Sequence, residues 1–139
     1  MKSPKAILWI AIAVCALFTQ AVAQTEAARV SVPFKFSLAN RTLPAGDYRV
    51  TINGSLLQIA AIDSNASATA MTVYAGGGHD QDLTPRLVFH RYGDHRFLAE
   101  VWIGEINMGH QLFASAGELE YARNTKQESV TDAMARTPR

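Results

Sequence analysis

The side chains best suited to chemistry are the histidines at 79, 90 and 95 and the acids beside them. In Leu87-Val88-Phe89-His90-Arg91-Tyr92-Gly93-Asp94-His95 a strict two-residue alternation puts His90 and His95 on one face, diagonal across a Gly93-Asp94 turn. Two imidazoles beside the Asp94 carboxylate are donors that zinc or copper would accept. Spacing supplies no third ligand. His79-Asp80-Gln81-Asp82 follows three glycines, but no glutamate closes it as a calcium loop, and the glycines open no helix that would cradle phosphate. Arg91, Arg96 and Glu100 fall together on the other face. They can pair across the strands or clamp an anion. No G-x-S-x-G elbow appears, and no particular pair of carboxylates stands out. No catalytic, cofactor-binding or metal-binding residue is therefore assigned, and the domain is expected not to be an enzyme. The alternative is a metal-assisted enzyme built on His90, His95 and the 79–82 loop.

The elements that would hold these residues read mostly as strands. Val30, Val32, Phe34, Phe36 and Leu38 alternate with Ser31, Pro33, Lys35 and Ser37, so residues 28–38 form a half-buried strand with Pro33 at an edge or a bulge. Leu43-Pro44-Ala45-Gly46 has the composition of a bulged hairpin turn, with Gly46 left-handed. Asn53-Gly54 predicts a two-residue turn pairing 52 with 55, 50 with 57 and 48 with 59. That register gathers Tyr48, Val50, Ile52, Leu57 and Ile59 on one face. Ser64-Asn65 turns the chain into a strand of small residues, Ala68 and Ala70, over which something bulky must pack.

Pairing 92 with 95 makes a second hairpin. Val88, His90, Tyr92, His95, Phe97, Ala99 and Val101 then share one face, and Leu87, Phe89, Arg91, Arg96, Leu98, Glu100 and Trp102 the other. Large apolar residues on both faces predict a hairpin covered on both sides, with Trp102 inside the fold. Ser115-Ala116-Gly117-Glu118 has capping-box spacing and predicts a short helix from about 116 to 126. The last residues, 127–139, are polar and weakly patterned, the composition of a disordered tail.

The N-terminus carries an address. Lys2 and Lys5 precede the 13-residue apolar run Ala6–Phe18, and Ala21-Val22-Ala23 has the small-x-small pattern of signal-peptidase cleavage. A membrane-spanning helix needs about 20 apolar residues. Val14 stands before Cys15, where lipidation calls for a small residue. Residues 1–23 thus read as a signal peptide, residues 24–126 as one β-rich domain, and the location as secreted or periplasmic. Cleavage removes two of the 13 basic residues, none of the 12 acidic ones and the single cysteine. The mature 116 residues then carry 11 basic against 12 acidic side chains, a net charge of −1. With no basic stripe, nucleic acid is not an expected partner. With no cysteine, there is no disulfide, thiol nucleophile or cysteine-held zinc. Asn40-Arg-Thr42, Asn53-Gly-Ser55 and Asn65-Ala-Ser67 match the glycosylation pattern, but each asparagine falls at a predicted turn, where its backbone preferences account for it. A transmembrane barrel needs at least eight strands of about nine to eleven residues, which this length barely holds; no stable membrane span is expected after cleavage.

Two stretches carry a resemblance. Phe34-Lys35-Phe36 with Leu43-Pro44-Ala45-Gly46-Asp47-Tyr48-Arg49-Val50 is similar to an F-x-F…LPAGxYxV segment. Leu87-Val88-Phe89-His90-Arg91-Tyr92-Gly93-Asp94 with Phe97-Leu98 and Val101-Trp102 is similar to LVFHRYGD…FL..VW. Together they resemble a family of small secreted bacterial β-rich proteins to which no activity is assigned. The resemblance spans roughly residues 30–120 and departs from the pattern around Gly104 to Gln111. It implies an envelope or extracellular location and a shared fold, and it carries over no site residue. The combined expectation is an all-β domain, a single sandwich or small barrel of about seven strands with a short C-terminal helix. Its expected role is to bind a small ligand or an envelope protein.

Overall fold

A computed structural model describes residues 25–77, 84–103, 108–125 and 128–134. The leader at 1–23 and the loop at 79–82 lie outside them. The described residues form ten strands and one helix: β1 (Thr25–Val32), β2 (Phe36–Leu38), β3 (Arg41–Leu43), β4 (Gly46–Asn53), β5 (Leu56–Ala61), β6 (Ser67–Gly77), β7 (Arg86–Tyr92), β8 (His95–Ile103), β9 (Met108–Leu112), α1 (Ala116–Asn124) and β10 (Glu128–Met134). The protein is all-β with a short helix. There are more strands than the expected seven, because the first predicted strand divides at Pro33 and residues 128–134, expected in a polar tail, pair with β7.

Neighbouring strands run β1-β4-β5-β6-β9-β8, and β7 and then β10 continue from the other edge of β8. All of these pairs are antiparallel. β9 covers only residues 100–103 of β8, and the β2–β3 hairpin fills the rest of that edge through one parallel pair, Ser37 with Phe97. Cα atoms of β1 and β10 come within 8 Å of each other with no ladder between them. The sheet therefore curls most of the way around a single core and stays open.

That core is built by alternation. Tyr48, Val50, Ile52, Leu57 and Ile59 are all buried on one face, as the pattern predicts. The register differs, however: Asn53 pairs with Leu56 and Ile52 with Leu57. The turn is Gly54-Ser55, with φ +60° at Gly54 and no positive φ at Ser55, the primed geometry that needs only one left-handed residue. A shift of two residues preserves side-chain parity, so the buried face survives the change in register.

Leu43–Gly46 is not a hairpin turn. β3 pairs with β2, whereas β4 pairs with β1 and β5, and Gly46 is nearly extended at φ 159°. The segment is a corner between two strand pairs, tied down where the Tyr48 hydroxyl donates to the Pro44 carbonyl. Pro33 has an equivalent role at the end of β1. Lacking an N–H to donate, it ends the ladder and lets Phe34 and Phe36 cross to the other side of the core. There Phe34, Phe36, Tyr48 and Phe89 meet edge to face at centroid distances of 5.0–5.4 Å. Of the small strand, Ala68 is buried in the core and Ala70 packs against it; β2 and β3 lie nearby, and Arg41 donates to the Ser67 carbonyl at 3.1 Å.

Candidate functional site

The β7–β8 hairpin turns at Gly93-Asp94, with Tyr92 opposite His95 as predicted, and Gly93 takes φ +59°. Its register shifts between Val88 and Phe89: Phe89 faces Leu98, but Val88 faces Glu100, so Ala99 is the extra residue of a bulge. The bulge reverses the faces assigned beyond it. Val101 and Ile103 join Leu87, Phe89 and Leu98 in the core, while Glu100 and Trp102 turn outward. Trp102 is therefore only half-buried rather than inside the fold. Its indole lies across Gly109, where an added Cβ would come within 2.7 Å of the ring. The indole N–H donates to Glu100 at 2.9 Å, and the Arg86 guanidinium sits 4.8 Å from the ring centroid. The expected grouping of Arg91, Arg96 and Glu100 is broken as well. Arg91 faces Arg96, and Glu100 has left them.

The outer face of the hairpin is covered by α1, which spans Ala116–Asn124 against the predicted 116–126. Ser115 caps it, its Oγ accepting from the Glu118 N–H at 3.2 Å. In a reciprocal capping box the Glu118 carboxylate would reach back to the cap. Here it turns to the sheet. Its Oε1 lies 2.7 Å from His90 Nδ1 and accepts from the Tyr92 hydroxyl at 3.2 Å. The Glu118 side chain is 7 % exposed, a degree of burial that a carboxylate tolerates only when it is hydrogen-bonded. Burial, then the Glu118 charge, then its hydrogen bond hold the Tyr92 phenol above its ordinary pKa. One turn further along, the Tyr121 ring lies 4.2 Å from His95 and 5.6 Å from Phe97. The hairpin is thus covered on both sides, by rings within and by a carboxylate and rings without.

The two histidines that could have shared a metal have separate partners: His90 engages Glu118, and His95 lies against Tyr121. Among the described residues no group of three or more His, Cys, Asp or Glu side chains is placed to hold a metal ion. His110, which spacing did not single out, is buried with its Nδ1 3.4 Å from the Thr72 hydroxyl. No helix among the described residues is long and apolar enough to cross a membrane.

A groove of about 350 Å³ lies where the β2–β3 hairpin, the start of β8 and the start of α1 converge. Lys35, Arg41 and Arg96 line it, with His95 and Tyr121 along one wall and Asp94 as its one acid. Ser115 and Gly117 bring the positive end of α1 to it. A second hollow of about 270 Å³ adjoins it, sharing Ser37, Asn40, Phe97 and Ser115. Between them is the hairpin tip, where Ala39 sits at φ +53°. A residue with a Cβ pays about 1–2 kcal/mol for that conformation. Little of this was visible from spacing, because the walls come from segments up to 86 residues apart, Lys35 to Tyr121. The signal that was present, the capping spacing at 115–118, located the helix but not the side to which its glutamate turns. No family model, curated protein or solved structure matches the chain.

Proposed function

We infer that this chain is an exported, non-enzymatic β domain that binds a small ligand in the groove between the β2–β3 hairpin and α1. The observation that carries the binding role is the groove itself, an open polar concavity walled by three elements and bordered by a strained residue, Ala39. Strained backbone persists where the surrounding structure over-determines it, and it concentrates at ligand sites. The apolar run and Ala21-Val22-Ala23 support export. The similarity to secreted bacterial β proteins, which rests on the LPAG and HRYGD segments, agrees with it.

Two measurements test this reading. The intact mass of protein recovered outside the cytoplasm should correspond to a chain beginning at Gln24, and a mass retaining residues 1–23 overturns export. A fragment screen of that material, read by amide chemical shifts, should move Asn40, His95 and Tyr121 together. Shifts confined to other surfaces, or none, overturn the groove as the binding site.

A further inference from the structure

The groove brings three basic side chains together, Lys35, Arg41 and Arg96, and their contacts leave donors to spare. Among the described residues, Lys35, Arg41 and Arg96 form no ion pair with a carboxylate within 4.0 Å. Lys35 has no hydrogen-bond partner among them either. Arg41 commits one N–H to the Ser67 carbonyl, and the Arg96 guanidinium carbon lies 4.4 Å from the Phe34 ring centroid, with no hydrogen bond from the Arg96 side chain to another described residue. A guanidinium carries five N–H donors and an ammonium three. Like charges sharing a concave surface repel, and a cleft walled by protein concentrates their field. Asp94 alone cannot balance three cations. The mature chain is close to neutral overall, so this concentration of positive charge is local.

We propose that the groove binds a small carboxylate- or phosphate-bearing ligand of one-ring size, such as an acidic sugar. Lys35, Arg41 and Arg96 hold the anion, and the Tyr121–His95 wall lies along the ring. The volume sets the size: about 350 Å³ is near the small end of ligand pockets, which run from about 300 to 1,000 Å³. Tyr121 is half-buried and tilted 35° against His95, which places aromatic rings beside the charges. This inference rests on the groove being the binding site and adds the class of ligand.

The test titrates the exported protein with galacturonate, glucose 6-phosphate, inorganic phosphate and methyl glucoside, following backbone amides and heat. Galacturonate or glucose 6-phosphate should bind, shift Lys35, Arg41, Arg96 and Tyr121, and weaken with added salt. Lys35→Gln and Arg41→Gln should each reduce that affinity about tenfold, the scale of a hydrogen bond to a charged group. Both residues are exposed, so thermal unfolding of these variants should match the parent and separate lost binding from lost folding. Whichever of the two ring anions binds more tightly identifies the carboxylate or the phosphate as the source. Methyl glucoside binding as tightly as either overturns the anionic class while leaving the groove reading intact. Inorganic phosphate binding as tightly as the ring anions overturns the role of the aromatic wall. A groove unmoved by all four probes overturns this proposal, and the fragment screen then decides independently whether the groove binds anything at all.

Discussion

The β7–β8 hairpin is packed on one face by rings and on the other by a carboxylate. Inside, Phe89 is 1 % exposed and meets Phe34 and Phe36 edge to face, with Leu87, Leu98 and Val101 around it. Outside, His90 and Tyr92 converge on Glu118 of α1. The inner face gains from area removed from water, which is non-directional and tolerates small displacements of the rings. The outer face gains from hydrogen bonds to a buried charge, which depend on geometry and are lost abruptly when one partner goes. One hairpin therefore joins a robust interface to a brittle one, and the groove lies where the brittle one ends, at His95 and Tyr121.

Removing a ring from the inner face should have the largest effect. Phe89→Ala should cost about 3–5 kcal/mol, the range for truncating a core aromatic. Trp102→Ala, at a half-buried ring lying on Gly109, should cost roughly half as much, because less of its area leaves water on folding. Urea midpoints of the two variants check the order. Equal losses would show that the Ala99 bulge does not separate the faces and that Trp102 belongs to the core after all.

Next in size is the carboxylate. Glu118→Ala strands the buried Tyr92 hydroxyl beneath α1 and removes the partner of the half-buried His90, and leaving a buried polar group unsatisfied costs about 1–3 kcal/mol. Hydrogen exchange tells where the loss falls: amides of Tyr121 to Asn124 should lose protection while those of β4 and β5 keep theirs. Uniform loss across both would mean that α1 and the sheet unfold as one unit and that the two interfaces are not independent.

The contrast also explains which parts were legible in the sequence. Alternation reports which side a residue takes and is indifferent to a register shift of two, so the Tyr48–Ile59 face is legible although the turn forms one residue later than Asn53-Gly54 predicts. The Tyr92–His95 pairing follows from a turn signal four residues long. The bulge at Ala99 has no such signature, since alanine suits either face, and it moved Trp102 outward and Glu100 away from Arg91 and Arg96. The bond between His90 and Glu118 joins residues 28 apart through a helix whose rotation only the folded chain sets. Residues 128–134 pair with β7 although their composition is that of a tail; a backbone ladder can form without a strong side-chain pattern.

The smallest effect should appear at high pH, and it separates the two faces through one phenol on each. Burial raises the Tyr48 pKa in the core, and burial with the Glu118 charge raises that of Tyr92 under α1, both from an ordinary 10.0. A folded-state pKa above the unfolded one means that the native state binds its proton more tightly. The stability this contributes is fully present below about pH 10 and is lost as pH climbs through the raised native values. Urea midpoints should therefore be level toward pH 10 and fall above it. Tyr92→Phe removes one of the two linked protons, and at neutral pH it costs only a hydrogen bond, about 0.5–1.5 kcal/mol. The variant's alkaline limb should be shallower than the parent's, with the remaining slope belonging to Tyr48. If Tyr92→Phe leaves the limb unchanged, the Tyr92 phenol is not coupled to folding, and the Glu118 cluster is more open to water than its 7 % exposure implies.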